Sequence, residues 1–241
     1  MYLIAEGGIP TKNTLVNTKG AISLSLNTSY ISGISLNVAY TKDEVFVIAD
    51  RESLMFTTQG SGYLQYNTYN DLLHFNIGTK VLNARVVTLN EVLEIYNNTD
   101  KMLVLNLDYQ GERTEQYTYQ LLALISNYPN INIFLKSFDN TILSILKNSN
   151  TKARIGIIID DNNLDKLNND YDFYVINSYL VDRDTIISRI NSNKLIMTEL
   201  ISNGSDLINY YYRYGSYILN NLYVISDNTS SLNKDINLLE N

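Results

Sequence analysis

The amino-acid sequence predicts an α/β protein, a (β/α)₈ TIM barrel with a small hairpin insertion after the second strand. Three observations lead to this prediction. Stretches with the apolar pattern of strands alternate along the chain with stretches that have helical spacing. Segment 154–159 is nearly continuous isoleucine, as expected of a strand covered on both faces in a parallel barrel. The chain has 241 residues, and one such barrel takes about 250 residues, so residues 1–241 are expected to form a single domain.

The first predicted strand covers residues 2–5 and runs into a glycine turn. Residues 34–40 alternate apolar and small side chains, which indicates a strand with one buried face. The hairpin insertion is expected within residues 33–62, where a strand at 45–49 follows a polar turn. The remaining barrel strands are predicted at residues 102–108, 131–135, 154–159, 173–176, 194–200 and 222–227.

Helical spacing of apolar residues predicts the helices that connect these strands. They are expected at residues 13–23, 67–75, 117–128, 182–191 and 205–219, with another around Leu143 and Leu146. Thr88 and Glu91 have the spacing of a capping box, which indicates a further helix start. The tail from Thr229 is polar, and its few apolar residues allow at most a terminal helix.

Composition and charge exclude several classes of function. The net charge of −7 argues against a nucleic-acid partner, because phosphate backbones require clustered Lys and Arg. The chain has no cysteine and one histidine, His74, so disulfides, thiolate metal sites and the usual zinc motifs are unavailable. No stretch approaches the ~20 apolar residues of a membrane helix, and the start lacks the features of a signal peptide. Abundant Asn and Tyr indicate either an AT-rich coding source or a tyrosine-rich contact surface.

Several short motifs occur in a characteristic order. Residues 41–43 read TKD, and the stretch after them keeps Leu54, a Thr-Thr pair at 57–58 and glycines at 60 and 62. Residues 86–93 read VVTLNEVL, and residues 137–146 read SFDNTILSIL. In this order the motifs resemble the glycerophosphodiester phosphodiesterase family. The resemblance extends from residue 1 to about residue 227 and implies the same barrel fold.

The residues that carry the chemistry of this family are replaced in the first part of the chain. Glu6 and Gly7 stand where the resemblance places a catalytic histidine and a phosphate-binding arginine. Lys12 stands at the position of a metal-binding glutamate, where its positive charge would repel a cation. Ser35 and Asn37 stand at the positions of a glutamate and an aspartate that bind the metal.

The replacements continue further along the chain. Asp50, followed by Arg51, stands where the family has its second catalytic His-Asp pair. Asn106 and Asp108 stand at the positions of a metal-binding glutamate and a phosphate-binding lysine, and Thr198 at that of an aromatic residue. The degenerate site positions are therefore Glu6, Gly7, Lys12, Ser35, Asn37, Asp50, Asn106 and Asp108.

A phosphodiesterase of this family implies a carboxylate-held divalent cation and two histidines that move protons. Because these groups are replaced together, the sequence predicts a catalytically inactive barrel with no catalytic residue, no metal and no cofactor. His74, which lies on a predicted helix among apolar neighbours, is expected to be a packing or surface residue.

Other acids leave an alternative open, because they follow separate strands and could converge on a different metal site. These acids are Glu6, Asp50, Asp108 and Glu199. Lys12, Arg51 and Lys136 could instead neutralise them as ion pairs. The chain is thus interpreted as a structural or ligand-binding module, with a divergent phosphodiesterase acting on glycerophosphodiesters or glycerophosphate teichoic acid as the alternative.

The resemblance also implies a setting. Domains of this family occur in tail and baseplate proteins of phages that infect Gram-positive bacteria, so a virion-associated or cytoplasmic location is expected. The expected partners are other protein subunits, in a homo-oligomer or a virion, and a glycerophosphate-containing or sugar ligand. The tyrosines between Tyr210 and Tyr214 could form such a contact face, although aromatic residues at helical spacing usually belong to the core. Neither nucleic acid nor membrane insertion is expected.

Overall fold

The computed structural model describes residues 1–49, 63–76, 78, 82–109 and 111–240, without the side chains of 217, 219, 220 and 240. The described strands, in chain order, are β1 (Tyr2–Glu6), β2 (Ile31–Tyr40), β3 (Phe46–Ile48), β4 (Val87–Thr88), β5 (Met102–Leu107), β6 (Asn132–Ser137), β7 (Arg154–Ile158), β8 (Phe173–Ile176), β9 (Leu195–Thr198) and β10 (Leu222–Ser226).

Eight of these strands form a closed parallel barrel, which confirms the predicted fold class. The order around the ring is β1, β10, β9, β8, β7, β6, β5 and β2. The ring closes because β1 pairs in parallel with β10 on one side and with β2 on the other. The carboxyl ends of all eight strands therefore meet at one end of the barrel.

The hairpin insertion leaves the ring from the end of β2. Strand β3 pairs antiparallel with β2, with Tyr40 opposite Phe46, and β4 pairs antiparallel with β3. In the turn between them, Thr41 Oγ1 donates a hydrogen bond to Asp43 Oδ1 at 2.7 Å and accepts one from Val45 N at 2.9 Å. This part of the predicted insertion is confirmed, and residues 50–62 lie outside the described residues.

The described α-helices are α1 (Lys19–Leu26), α2 (Tyr69–Leu73), α3 (Leu89–Tyr96), α4 (Thr114–Ser126), α5 (Asn140–Asn148), α6 (Arg183–Asn191), α7 (Gly204–Tyr214) and α8 (Thr229–Glu240). The capping box at the start of α3 is confirmed, because Thr88 Oγ1 accepts from Glu91 N and the Glu91 carboxylate accepts from Thr88 N. The terminal helix is also present as α8.

Several predicted helices have different bounds in the structure, and in two of them the backbone gives the reason. The helix predicted at 13–23 is α1, because Thr18 caps its start and Asn17 before it has a positive φ of 59°. The helix predicted at 205–219 ends at Tyr214, because Gly215 adopts a φ of 79° that an α-helix cannot continue through. Residues Ser216–Asn221 then form a 3₁₀ helix.

Apolar residues fill the barrel interior, and a second apolar layer lies between strands and helices. The inner apolar cluster consists of Ile4, Met102, Val104, Phe134, Phe173, Val175, Met197 and Ile225. Side chains alternate along each strand, so Leu103, Leu105 and Leu135 belong instead to the outer layer under the helices. Within the described part of the chain, no helix is long and apolar enough to cross a membrane.

Candidate functional site

Polar side chains replace the apolar ones at the carboxyl ends of the barrel strands. Glu6, Asn106 and Lys136 each follow a member of the inner apolar cluster by two residues, so they face the same interior. Parallel pairing sets Asn37 beside Asn106, and Asn106 beside Lys136. We call the inward-facing polar residues at this end the mouth, and they are Glu6, Asn37, Asn106, Lys136, Asn177 and Glu199.

Hydrogen bonds join the mouth residues into two groups. Asn106 Nδ2 donates to Asn37 Oδ1 at 2.7 Å, and Asn37 Nδ2 donates to Glu6 Oε1 at 3.4 Å. Across the barrel, Asn177 Nδ2 donates to Glu199 Oε2 at 2.9 Å. Each group therefore presents one carboxylate, and these two carboxylates are the charges that act on Lys136.

Lys136 is buried between these groups, with 8% of its surface exposed. Burial lowers the pKa of its amine, against the opposing effect of Glu6 and Glu199. Among the described residues its ammonium makes no hydrogen bond, and no carboxylate oxygen lies within the 4.0 Å of an ion pair. Within the described part of the chain, the two carboxylates therefore act on Lys136 only from a longer distance than that of an ion pair.

Two further polar atoms in this region are buried without a hydrogen-bond partner in the described structure. One is Ser35 Oγ, on the inward-facing side of β2 one step below Asn37, and the other is Asn106 Oδ1. Ser35 is fully buried at 0% exposure. A buried hydroxyl or amide oxygen without a partner is costly, and such atoms are often explained by a function or a bound molecule.

Three other predicted site positions are not among the six mouth residues. Gly7 forms a turn with φ 65°, in which its N–H donates to the Ser35 carbonyl at 2.8 Å. Lys12 is exposed on the loop after β1, beside the bridge between Thr11 and Thr14. Asp50 lies outside the described residues.

Asp108 and Thr198 take part in other contacts. Asp108 lines a cleft beside the hairpin with Tyr40 and Tyr109. Burial, with a smaller contribution from Asp108, raises the pKa of Tyr117. Thr198 is buried, and its Oγ1 accepts a hydrogen bond from Ile225 N at 3.0 Å, so it ties β9 to β10.

The histidine of the chain is not one of the mouth residues. His74 is exposed at the C-terminal cap of α2, a helix of the segment that follows the hairpin insertion. Histidine is the side chain whose usual pKa suits proton transfer near neutral pH. The mouth therefore offers carboxylates, amides and one ammonium, and no imidazole.

The donor set of the mouth does not fit a divalent cation of the Ca²⁺ or Mg²⁺ type. Such ions prefer several carboxylate and carbonyl oxygens. In the described structure no three His, Cys, Asp or Glu side chains are placed to hold a metal ion. Between β1 and β6 the mouth supplies the amides of Asn37 and Asn106, and the adjacent Lys136 ammonium would repel a cation.

Lys136 is the residue whose importance sequence reasoning missed. The sequence did place it among the basic residues that could neutralise loop acids. The available signal was its spacing, since a lysine two residues after the buried Phe134 on a strand must face the barrel interior. Its isolation from carboxylates depends on the distance to strands far away in the sequence, which no local pattern reports.

The comparisons with known proteins agree with this architecture. The sequence profile described as the glycerophosphoryl diester phosphodiesterase family matches residues 24–209. Among curated proteins no match is found.

Solved structures similar to this chain include three bacterial proteins. The Oleispira antarctica phosphodiesterase, in complex with the product sn-glycerol-3-phosphate, has 17% identity and a TM-score of 0.82, covering 98% of this chain and 97% of its own. A putative glycerophosphoryl diester phosphodiesterase from Silicibacter pomeroyi has 12% identity and a TM-score of 0.82, with coverages of 99% and 94%. The glycerophosphodiester phosphodiesterase from Thermotoga maritima has 18% identity and a TM-score of 0.74, with coverages of 96% and 96%. At such identities the likeness shows a shared fold.

Proposed function

The chain belongs to the glycerophosphoryl diester phosphodiesterase family, and from that premise we propose that its mouth binds a glycerophosphate-containing ligand without hydrolysing it by metal and histidine chemistry. The observation that carries this proposal is Lys136, a lysine with 8% of its surface exposed, whose ammonium makes no hydrogen bond among the described residues and is set between two carboxylate-bearing groups. Glycerophosphodiesters and glycerophosphate teichoic acid are the ligands of this class to test first.

A glycerophosphate group matches the mouth in donors and acceptors. Its phosphate oxygens accept hydrogen bonds, and a charged donor such as the Lys136 ammonium forms the stronger kind. Its hydroxyl groups can donate to Asn106 Oδ1, which lacks a partner in the described structure, and to the carboxylate of Glu6 or Glu199. Binding would thus satisfy polar atoms that the barrel leaves buried.

The side chains of the mouth do not supply the family's hydrolytic groups. General acid and base catalysis contributes about 10²–10⁴ in rate, and a metal ion adds several kcal/mol of charge stabilisation. The imidazole of His74 is on α2, outside the barrel ring, and the metal-ligand positions carry Ser35, Asn37 and Asn106. Binding without turnover follows from this donor set.

A divergent phosphodiesterase is the second candidate. It is favoured by the comparisons, since relatives whose names state an activity are phosphodiesterases. It is also favoured by Glu6 and Glu199, whose carboxylates face Lys136 from two sides of the mouth and could act as acid and base. In this candidate the phosphate would be held by Lys136.

Binding and turnover are separated by two measurements on the purified chain. Calorimetric titration with sn-glycerol 3-phosphate and sn-glycero-3-phosphocholine should show saturable binding. Release of glycerol phosphate from the second compound should stay at background with Ca²⁺, Mg²⁺, Mn²⁺ or EDTA. Absence of binding by both ligands would refute the ligand class.

Turnover above background would favour the second candidate if it depends on the mouth. The variants Glu6→Gln and Glu199→Gln should then abolish it. Glu94→Gln is the matched control, because Glu94 is exposed on α3 and bonds only its helix neighbour Asn90 among the described residues. Turnover that survives both mouth variants would point to a contaminating enzyme.

A role in a protein assembly is a further proposal, and exposed tyrosines support it. Tyr66, Tyr179 and Tyr212 are among the large apolar side chains with most of their surface exposed, and tyrosine is well suited to contact surfaces. Tyr210 and Tyr214 are buried in the outer layer, so they do not belong to such a face. Light scattering coupled to size-exclusion chromatography tests self-association, and a monomer at high concentration would argue against a homo-oligomer. A virion-associated or cytoplasmic location stays a proposal.

A further inference from the structure

The ammonium of Lys136 has an environment that a structural lysine does not normally have. Below it, Phe134 and Phe173 pack edge to face, with ring centroids 5.5 Å apart, and form an apolar floor. Beside it, Asn106 on β5 presents an amide, and on β7 the registered partner is Gly156, which has no side chain. Lys136 therefore stands on its strand above an aromatic pair and beside a glycine, and none of these neighbouring side chains is a hydrogen-bond acceptor.

The charges that face Lys136 come from β1 and from the end of β9. Among the described residues, Glu6 and Glu199 are the groups whose negative charge acts on it, and each is already engaged by an amide, Asn37 for Glu6 and Asn177 for Glu199. Neither carboxylate approaches the ammonium within 4.0 Å in the part of the chain that is described. The lysine is thus attracted to both sides of the mouth and bonded to neither.

We propose that Lys136 is the built-in cation of the mouth, whose ammonium binds an oxygen of the ligand where the chain lacks the ligands for a divalent cation. This inference rests on the proposed function and adds to it that binding is independent of metal. Lys136 stands in register with Asn106, and Asn106 with Asn37, so the ammonium lies next to the positions where carboxylates have been replaced.

The low exposure of Lys136 supports a functional role. A charge that has lost most of its water without gaining a hydrogen-bonded partner destabilises the folded state, and an apolar residue of similar length would be better tolerated. Groups of this kind are found where a ligand completes the set of contacts. A lysine kept only for structure would instead hold Glu6 and Glu199 directly, and its removal would destabilise the fold.

Titrations of sn-glycerol 3-phosphate into four proteins test the inference. The proteins are the wild-type chain, Lys136→Met, Lys136→Arg and the control Lys152→Met. Lys152 is exposed just before β7, at the amino-terminal end of the barrel, opposite to the mouth. Each titration is run in EDTA and again with excess Ca²⁺ and Mg²⁺, and each protein is melted without ligand.

The wild type should bind equally well in EDTA and with the two ions. Lys136→Met should bind roughly tenfold or more weakly, as expected for loss of a charge-assisted hydrogen bond. Its melting temperature should equal or exceed that of the wild type. Lys136→Arg should retain more binding than Lys136→Met, and Lys152→Met should bind as the wild type does.

Each contrary outcome has a distinct meaning. Binding that requires Ca²⁺ or Mg²⁺ would overturn the inference and leave the proposed function standing, whereas no binding under either condition would overturn both. Undiminished binding by Lys136→Met would overturn the inference alone. If that variant does not fold, Lys136→Gln is measured instead, and failure of both to fold would show a structural lysine and refute the inference.

Discussion

The barrel interior has a lower level of packed apolar side chains and an upper level of polar side chains, and both levels are built on the same strands. The lower level is the inner apolar cluster, in which Val104 and Phe134 are buried to 1% exposure or less. Two residues further along the same strands, Asn106 and Lys136 form part of the mouth. One level is packed, and the other contains buried polar atoms that the described residues leave without partners.

The difference shows that fold and site are encoded at separate positions on each strand. The lower level stabilises the barrel through buried apolar area, at roughly 25 cal/mol per Å². The upper level costs stability, because buried polar atoms lose their hydrogen bonds with water. A chain can therefore keep the fold of its family through residues such as Phe134 while the polar residues one level higher, such as Asn37 and Asn106, change independently.

The largest expected effect is a change in the lower level. Phe134→Ala should lower the free energy of unfolding by about 3–5 kcal/mol, because it removes a buried aromatic ring and leaves a cavity. The control is Tyr119→Ala on α4, where the side chain is 59% exposed, and its effect should stay within about 0.5 kcal/mol. Urea denaturation measures both, and similar values for the two variants would show that the lower level is not packed as described.

Much of this fold could be predicted because strands and helices have different local periods. The Thr88 and Glu91 capping box and the isoleucine run of β7 are signals contained within a few residues. The bounds of α1 and α7 were less accessible. They depend on the left-handed conformation of Asn17 and Gly215, which apolar spacing does not report.

The site could be predicted only in part, for a related reason. Motif order identified Glu6, Ser35, Asn37 and Asn106, and the structure brings these residues to one end of the barrel. Motif order did not reveal that Lys136 lacks a carboxylate at ion-pair distance among the described residues, since that property depends on distances to other strands. Spacing along the chain likewise could not reveal that Asp108 lies beside the hairpin.

A smaller effect is expected where two strands approach closely at the base of the lower level. A Cβ atom at Gly33 would lie 2.6 Å from the Met102 carbonyl oxygen and 2.7 Å from Met102 Cβ. Gly33→Ala should therefore lower the free energy of unfolding by about 1–3 kcal/mol through overpacking.

Gly204→Ala provides the control for this change. At Gly204 a Cβ would meet chiefly the carboxylate of Asp235, a side chain that can move. No loss of stability is expected there, because alanine also favours the helix α7. If Gly33→Ala keeps the free energy of unfolding of the wild type, β2 and β5 can separate to admit a methyl group. The lower level would then be less tightly packed than the structure indicates.

Ligand binding by the upper level should depend on pH, because that level contains an ionisable lysine and the lower level contains only apolar side chains. Burial lowers the pKa of Lys136 below 10.5, against Glu6 and Glu199. Affinity for sn-glycero-3-phosphocholine should fall about tenfold per pH unit above that lowered pKa, because the neutral amine no longer binds an oxygen anion. Calorimetric titration at increasing alkaline pH measures this, and a constant affinity would contradict it.

Folding stability should change in the opposite direction over the same range. Between the lowered pKa and 10.5, the unfolded chain binds more protons at Lys136 than the folded chain does. By linkage, the free energy of unfolding of the wild type should rise with pH relative to that of Lys136→Met. A falling difference would mean that the fold raises this pKa, as it would for a lysine held in an ion pair.

The smallest expected effect is at Ser35, at the boundary between the two levels. There we expect a gain in stability, whereas Phe134→Ala and Gly33→Ala are expected to lose stability. Ser35 Oγ is fully buried and has no hydrogen-bond partner among the described residues. Removing a buried hydroxyl that bonds to nothing removes its desolvation cost, so Ser35→Ala should raise the free energy of unfolding by up to about 1 kcal/mol. Ser137→Ala is the matched control, because Ser137 is equally buried but donates to the Leu107 carbonyl at 2.7 Å and accepts from Asp139 N at 3.0 Å. That variant should lose about 1–2 kcal/mol of its free energy of unfolding.

Urea denaturation measures both serine variants. If they lose stability alike, Ser35 must bond to an ordered water. The polar level of the barrel would then begin at Ser35, one inward-facing position lower than the contacts between side chains indicate.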